Sequence, residues 1–270
     1  MSPPIPQDSS IVPNSPPIDD ARRISFDTRA ELYDAARPSY PDALADDVIS
    51  HGGRRVLEIG AGTGKATLVF ARRGASIVAI EPGANLVAVL RRNAEDLDIT
   101  VENTTFEAWP IARPFDVVMF AQAVHWIAPA VRYAKPAAVL APGGTLAVIR
   151  NETLPFEGGL RDELDAAYAR WPAGQCEPPV DNVVEASRLA HVGEIDASGL
   201  YGAVDVRVYP WTATYTAARY LDLLDTYSDH AILAAEHRAS LHDAIAQAIE
   251  RRGGVIEISY VSMAFLARRA

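Results

Sequence analysis

The sequence is short of cysteine: Cys176 is the only one in 270 residues. That excludes an internal disulfide and any metal site built from several thiolates, and it suits a reducing compartment. Long apolar runs are also missing, since no segment approaches the roughly 20 residues needed to span a bilayer. The first twenty residues hold six prolines but neither lysine nor arginine. A secretory leader opens on a basic stretch followed by an apolar one, and neither is present. Residues 1–22 therefore read as a disordered tail, and the chain as cytoplasmic with no membrane partner. Positive charge is outnumbered as well. The formal net charge is −10, and such a surface repels phosphate backbones, which argues against a nucleic-acid partner.

What remains is a globular composition, 49% hydrophobic and 22% charged. The length suits one elaborated α/β domain, residues 23–270, better than two independent domains. It does not choose between a monomer and a homodimer. Helical patterns over Phe26–Ala36 and Asp42–Ser50 precede an alternation of strands and helices. The strands are Val56–Ile59, Ser76–Ile80, Ile99–Val101, Phe115–Phe120 and Thr145–Ile149. Helices follow the first strand up to Arg73, then cover Ala84–Asn93 and Pro129–Leu140. Strands that are apolar almost throughout indicate a parallel sheet covered on both faces. Residues 151–203 show helical stretches but no clear strand, and read as a helical cap inserted after the fifth strand. A strand at Val204–Tyr209, two more helical stretches and an alternating strand over Val255–Leu266 complete seven strands.

The first strand runs into Gly60-Ala61-Gly62-Thr63-Gly64, three glycines at alternate positions before a helix. Such glycines let backbone turn sharply and approach a ligand. A dinucleotide fingerprint needs glycine at position 65, where Lys65 stands, and a P-loop needs a hydroxyl and a spacing that Gly64-Lys65-Ala66 lacks. Two acidic residues sharpen the signal. Glu58, near the end of a buried strand, is costly unless a cationic group pairs with it. Glu81, at the end of the second strand before Pro82-Gly83, is placed to accept hydrogen bonds from ribose hydroxyls.

The run Glu58-x-Gly60-x-Gly62-x-Gly64, then Glu81, then Phe115-Asp116-Val117-Val118 leading into Ala121-Gln122-Ala123-Val124-His125-Trp126, resembles the class I S-adenosylmethionine-dependent methyltransferases. The subgroup it most resembles holds small-molecule enzymes, including trans-aconitate methyltransferase-like proteins. Upstream, Tyr33-x-x-x-Arg37-Pro38-x-Tyr40-Pro41 is similar to a segment of that subgroup, and Pro210-Trp211 and Thr226-Tyr227-Ser228 extend the likeness more weakly.

The resemblance implies a Rossmann-like, mostly parallel seven-stranded sheet and S-adenosylmethionine as cofactor. It implies that Gly60, Ala61, Gly62 and Gly64 shape the wall against the cofactor, with Pro82 beside them. Glu58 then faces the methionine amino group and Glu81 the ribose. Phe106 borders the adenine beside Thr105, a position where many family members carry an acid; Glu107 is the alternative contact. Gln122 lies by the sulfonium, and Tyr33, Arg37 and Tyr40 close over the cofactor, with Arg37 on its carboxylate.

His125 is the candidate catalytic base, an imidazole titrating near neutrality at the mouth of the site; the alternative is that it only lines the pocket. Trp126 is expected in the substrate pocket wall. His191, His230 and Cys176 form no recognisable metal set. The implied reaction moves a methyl group to an oxygen or nitrogen of a small molecule. A SAM-binding module without turnover and an NAD-dependent oxidoreductase stand as alternatives, the latter opposed by Lys65.

Overall fold

The structure is a computed structural model describing residues 26–111, 114–170, 181–231 and 233–270. The tail expected over 1–22, and Cys176, lie outside the described residues. Strands β1 (Arg55–Ile59), β2 (Ser76–Ile80), β3 (Ile99–Glu102), β4 (Phe115–Ala121), β5 (Leu140–Thr153), β6 (Asp205–Thr216) and β7 (Val255–Arg268) form one sheet in the order β3-β2-β1-β4-β5-β7-β6. The first five strands are parallel, and β7 runs antiparallel to both its neighbours. The expected seven-stranded, mostly parallel α/β fold with helices on both faces is therefore present.

Alternation along the central strands builds two cores. Leu57, Ile59, Val118, Phe120, Leu146 and Val148 face one side, and Val56, Val117, Met119, Ala147 and Ile149 the other. Side chains on a strand point alternately to opposite faces, so a strand buried on both sides must be apolar throughout.

Helices α1 (Ala30–Ala36), α2 (Asp42–Gly52), α3 (Thr67–Arg72) and α4 (Ala84–Asn93) flank the first strands. The start of α4 carries no side-chain cap of its own. Instead the Asp27 carboxylate accepts hydrogen bonds from the backbone N–H of Asn85 (2.8 Å) and Leu86 (3.2 Å). The helix expected over Pro129–Leu140 is divided into α5 (Pro129–Arg132) and α6 (Ala134–Val139). Pro136 explains the division, because a proline ring clashes with the carbonyl four residues back, here that of Arg132.

Above the sheet, α7 (Gly158–Tyr168), α9 (Ala217–Asp225) and α11 (Ala235–Glu250) pack with the outer half of β7 around a third core that includes Leu164, Leu223, Leu241, Ile245 and Ile258. Helix α8 (Val183–Ser198) instead lays Ile195 against the sheet, and α10 is the short turn Ser228–Ala231. The helical layer thus draws on residues within and beyond the expected 151–203 segment, α9 and α11 following it in the chain. Strand β6 runs past Pro210, which pairs in register with Val261. Its position at the sheet edge makes that possible, since a proline tolerates only a strand side that needs no N–H. Among the described residues no helix is long and apolar enough to cross a membrane.

Candidate functional site

A cavity of about 1170 Å³ opens at the carboxyl ends of β1, β2, β4 and β5, the position where open α/β sheets bind ligands. The turn after β1 forms part of its wall. Gly60 has φ +73°, and a Cβ there would stand 2.6 Å from that of Ala123. Gly64 has φ +90° and faces Leu90 of α4, where a Cβ would clash with that side chain. Gly60 and Gly62 line the cavity, whereas Gly64 and the buried Ala61 do not. The third glycine is a packing requirement between the turn and α4.

Glu81 joins the two loops at this end. Its Oε2 accepts from the backbone N–H of Gly62 at 2.9 Å and its Oε1 from that of Gly83 at 2.8 Å. It is buried yet lines the cavity with Pro82 and Gly83. Glu58 behaves differently. It is fully buried, accepts a 2.6 Å hydrogen bond from the Thr67 hydroxyl, and is absent from the cavity wall. Burial, opposed by the Thr67 bond and reinforced by the Glu81 charge, pushes its pKa up to about 8.

Farther along the wall, Thr105, Phe106 and Glu107 form a turn braced from behind. The Lys135 ammonium donates to the carbonyls of Phe106, Glu107 and Trp109, and sits 4.9 Å from the Phe106 ring centroid. Thr105 Oγ1 accepts from the Ala108 N–H at 3.2 Å, and Glu107 Oε1 from the Ala128 N–H at 3.1 Å. Both side chains thus have backbone partners while lining the cavity. Gln122, at the tip of β4, takes a φ of +56°. A left-handed non-glycine residue is strained by about 1–3 kcal/mol. Its own N–H donates to the Ile149 carbonyl (3.0 Å) and its Nε2 to that of Asn151 (2.7 Å), which hold it there.

The N-terminal segment closes one side. Phe26, Tyr33, Arg37 and Tyr40 all line the cavity. The Arg37 guanidinium lies 5.2 Å from the Tyr33 ring centroid and 4.3 Å from that of Tyr227, and donates to the Thr226 carbonyl at 2.8 Å. Its Nε is buried without a partner among the described residues, an orphaned donor beside the cavity.

His125 occupies a 3₁₀ turn over Val124–Trp126. Its side chain is exposed where it lines the cavity, with the cavity walls packed around it on one side. That packing, followed by the charge of Arg150 and then the nearby His191 and Arg132, lowers its pKa to about 3. The shift runs against the near-neutral titration expected from the sequence and favours the neutral imidazole. Trp126 also lines the cavity, edge-on to Phe26 at 5.8 Å.

Several lining residues escaped the sequence reading, notably Arg150, Asn151, Glu152, Tyr168, Tyr220 and Tyr260. Arg150 and Glu152 pair at 3.0 Å. Arg150 directly follows the apolar run of β5, so the strand-end reasoning that singled out Glu81 applied there too. The tyrosines gave no such signal, because they come from α7, α9 and β7 and meet only in the folded chain. Among the described residues, no three His, Cys, Asp or Glu side chains group as a metal site.

An open sheet of five parallel strands with β7 reversed between β5 and β6 is the Rossmann-like architecture of class I methyltransferases, and the glycine turn with Glu81 lies at the carboxyl ends of its strands. The comparisons agree. Residues 56–144 match the family described as methyltransferase domain. Over 128 residues the chain is 38% identical to an uncharacterized methyltransferase of Mycobacterium tuberculosis; the match covers 47% of this chain and spans only 52%, about half, of that protein. An uncharacterized methyltransferase-like protein of Schizosaccharomyces pombe aligns over 91% of this chain and 95% of its own length at 26% identity. A solved structure from Anaeromyxobacter dehalogenans, assigned as a candidate type II methyltransferase, shares the fold with a TM-score of 0.63 at 22% identity, covering 86% of this chain and 97% of that one. Residues 56–144 thus resemble a methyltransferase domain in sequence, and the chain shares its fold with a methyltransferase structure.

Proposed function

We propose that the chain is a methyltransferase acting on an oxygen or nitrogen atom of a small molecule. The observation that carries this reading is Glu81, held by both turns at the end of a cavity larger than one ligand needs. Sites for drug-sized ligands run to roughly 300–1,000 Å³, so about 1170 Å³ accommodates a cofactor and an acceptor together. The lining fits the cofactor: an acidic residue for ribose hydroxyls, a buried aromatic wall at Phe106, and an orphaned guanidinium Nε at Arg37 for a carboxylate. The Tyr33–Pro41 segment supports membership of the small-molecule subgroup that includes trans-aconitate methyltransferase-like proteins.

S-adenosylmethionine held there would supply a methyl group activated by its sulfonium, to be displaced onto the acceptor atom with the bonding pair left on sulfur. Glu81 orients the ribose, Arg37 the carboxylate, and Gln122 the region of the sulfonium. Alignment of this kind is worth roughly 7–11 kcal/mol. Glu58 acts from behind the wall, through Thr67 and the glycine turn or through a bridging water. His125 borders the acceptor, and the acceptor's proton leaves to water.

The test is calorimetry followed by turnover. S-adenosylhomocysteine should bind in the micromolar range, roughly −8 kcal/mol, and NAD far more weakly. Tighter binding of NAD would overturn the reading. Incubation with methyl-labelled cofactor and fractionated metabolites then separates an enzyme from a binding module, since only an enzyme labels a product.

A further inference from the structure

We infer that the methyl acceptor is an uncharged aromatic molecule and not a carboxylate; this rests on the methyl-transfer reading above. Beyond the glycine turn and Gln122, the cavity is walled by Tyr168 of α7, Tyr220 of α9, Tyr260 of β7, Tyr227 and His230. Tyr168, Tyr220 and Tyr260 are at most 5% exposed, so their rings are fixed surfaces rather than mobile flaps. Tyr260 is stacked on Trp211 at 4.4 Å and donates to the Tyr215 hydroxyl at 3.0 Å. The Tyr168 hydroxyl lies 3.2 Å from His230 Nε2. Burial lowers the pKa of His230 to about 4, so this wall is neutral near pH 7.

The charged groups in this half are few and already engaged. Arg150 is paired with Glu152, and Glu152 also accepts from the Ser187 hydroxyl at 3.0 Å. Asp229 accepts from the His230 backbone N–H. Arg37, on the cofactor side, holds the Thr226 carbonyl. Among the described lining residues of the acceptor half, Arg150 has a carboxylate partner, and Arg37, which borders this half through the Tyr227 ring, is the cation reserved for the cofactor carboxylate. A carboxylate entering here would lose its hydration and find Arg150 neutralised. A tricarboxylate would meet that penalty three times. A flat neutral ring meets tyrosine edges and faces instead, the arrangement aromatic pairs favour.

The experiment uses the full chain saturated with S-adenosylhomocysteine, titrated with 1-naphthol, its carboxylate analogue 1-naphthoate, and trans-aconitate. The expected result is binding of 1-naphthol at least ~10-fold tighter than 1-naphthoate, a discrimination typical of an unpaired buried charge, with no displacement by trans-aconitate. Tighter binding of either carboxylate, or no binding of 1-naphthol to the saturated protein, overturns the inference alone. Failure of S-adenosylhomocysteine to bind removes the parent reading and the inference with it. Glu152→Gln keeps the side-chain shape and frees Arg150, so it should narrow the naphthol-to-naphthoate ratio about tenfold. An unchanged ratio would show that Arg150 does not face the acceptor and would overturn the charge argument.

Discussion

A carboxylate enclosed as completely as Glu58 is expensive to ionise, and that expense makes stability depend on pH. Its pKa is raised from 4.5 to about 8, so the folded chain keeps a proton that the unfolded chain has released. The contribution to stability is full below about 4.5 and is lost as pH rises through about 8. Without ligand, the melting temperature of Glu58→Gln should therefore gain on that of the native protein across this window; parallel curves would mean that Glu58 ionises freely.

His125 carries the opposite sign. Its pKa is shifted below the ordinary 6.5, the direction in which the neutral imidazole is favoured and any contribution to stability is present above 6.5 and lost as pH falls; because the side chain is exposed that contribution is small. No limb from this residue should appear in a pH–rate profile between pH 5 and 8. His125→Asn should keep activity within about tenfold, because positioning supplies most of the acceleration; a loss of 10²–10⁴-fold would restore the general base. Glu81→Ala should weaken S-adenosylhomocysteine by about 1.5–3 kcal/mol, as for hydrogen bonds to charged groups, measured by calorimetry on folded protein. Glu81 was legible in the sequence because a strand end followed by Pro-Gly announces a position. The environment that makes His125 a weak base was not, because Arg150, His191 and Arg132 reach it from distant parts of the chain.

At the scale of elements, the N-terminal segment is fastened from several directions. Asp27 caps α4, Arg29 donates to the Asp225 carbonyl and Arg37 to that of Thr226, and Glu31 pairs with Arg92. Asp27→Ala should cost about 0.5–2 kcal/mol of stability, the range for a lost helix cap, read from urea unfolding. A truncation removing residues 1–22 should leave cofactor affinity unchanged, whereas one continuing through Tyr40 should weaken it; equal affinities would take the segment out of the site.

Sequence periodicity located β1, β2, β4 and α4 to within a residue or two, since strands buried on both faces leave little ambiguity, whereas β5 extends over Leu140–Thr153, well past the expected Thr145–Ile149 at both ends. It was less informative where a residue's meaning depends on tertiary position. Pro136 splits a helix that looked continuous, while Pro210, just past the expected strand end at Tyr209, is absorbed within β6 because β6 pairs on one side only among the described residues. The grouping of α7, α9 and α11 over the sheet has no local signature at all.

For the whole molecule, one open cavity serves two layers: the sheet supplies the glycine turn and Glu81, and the helical layer supplies the tyrosines. A ligand that bridges them should stabilise the entire chain. S-adenosylhomocysteine at a hundred times its dissociation constant should add about 2.7 kcal/mol by mass action, seen as a raised melting temperature that NAD at equal concentration does not reproduce.

The proline in β6 has a further consequence, for association. A twelve-residue strand at a sheet edge offers a row of unpaired backbone groups to a second chain, the geometry from which strand-to-strand aggregation grows. Pro210 interrupts that row near its middle, because the side facing away from β7 lacks one donor and carries a ring where another strand would approach. Pro210→Val should leave cofactor binding intact while making the protein associate as its concentration rises, detectable by light scattering. The residue that made this strand hard to read thus also protects its open edge.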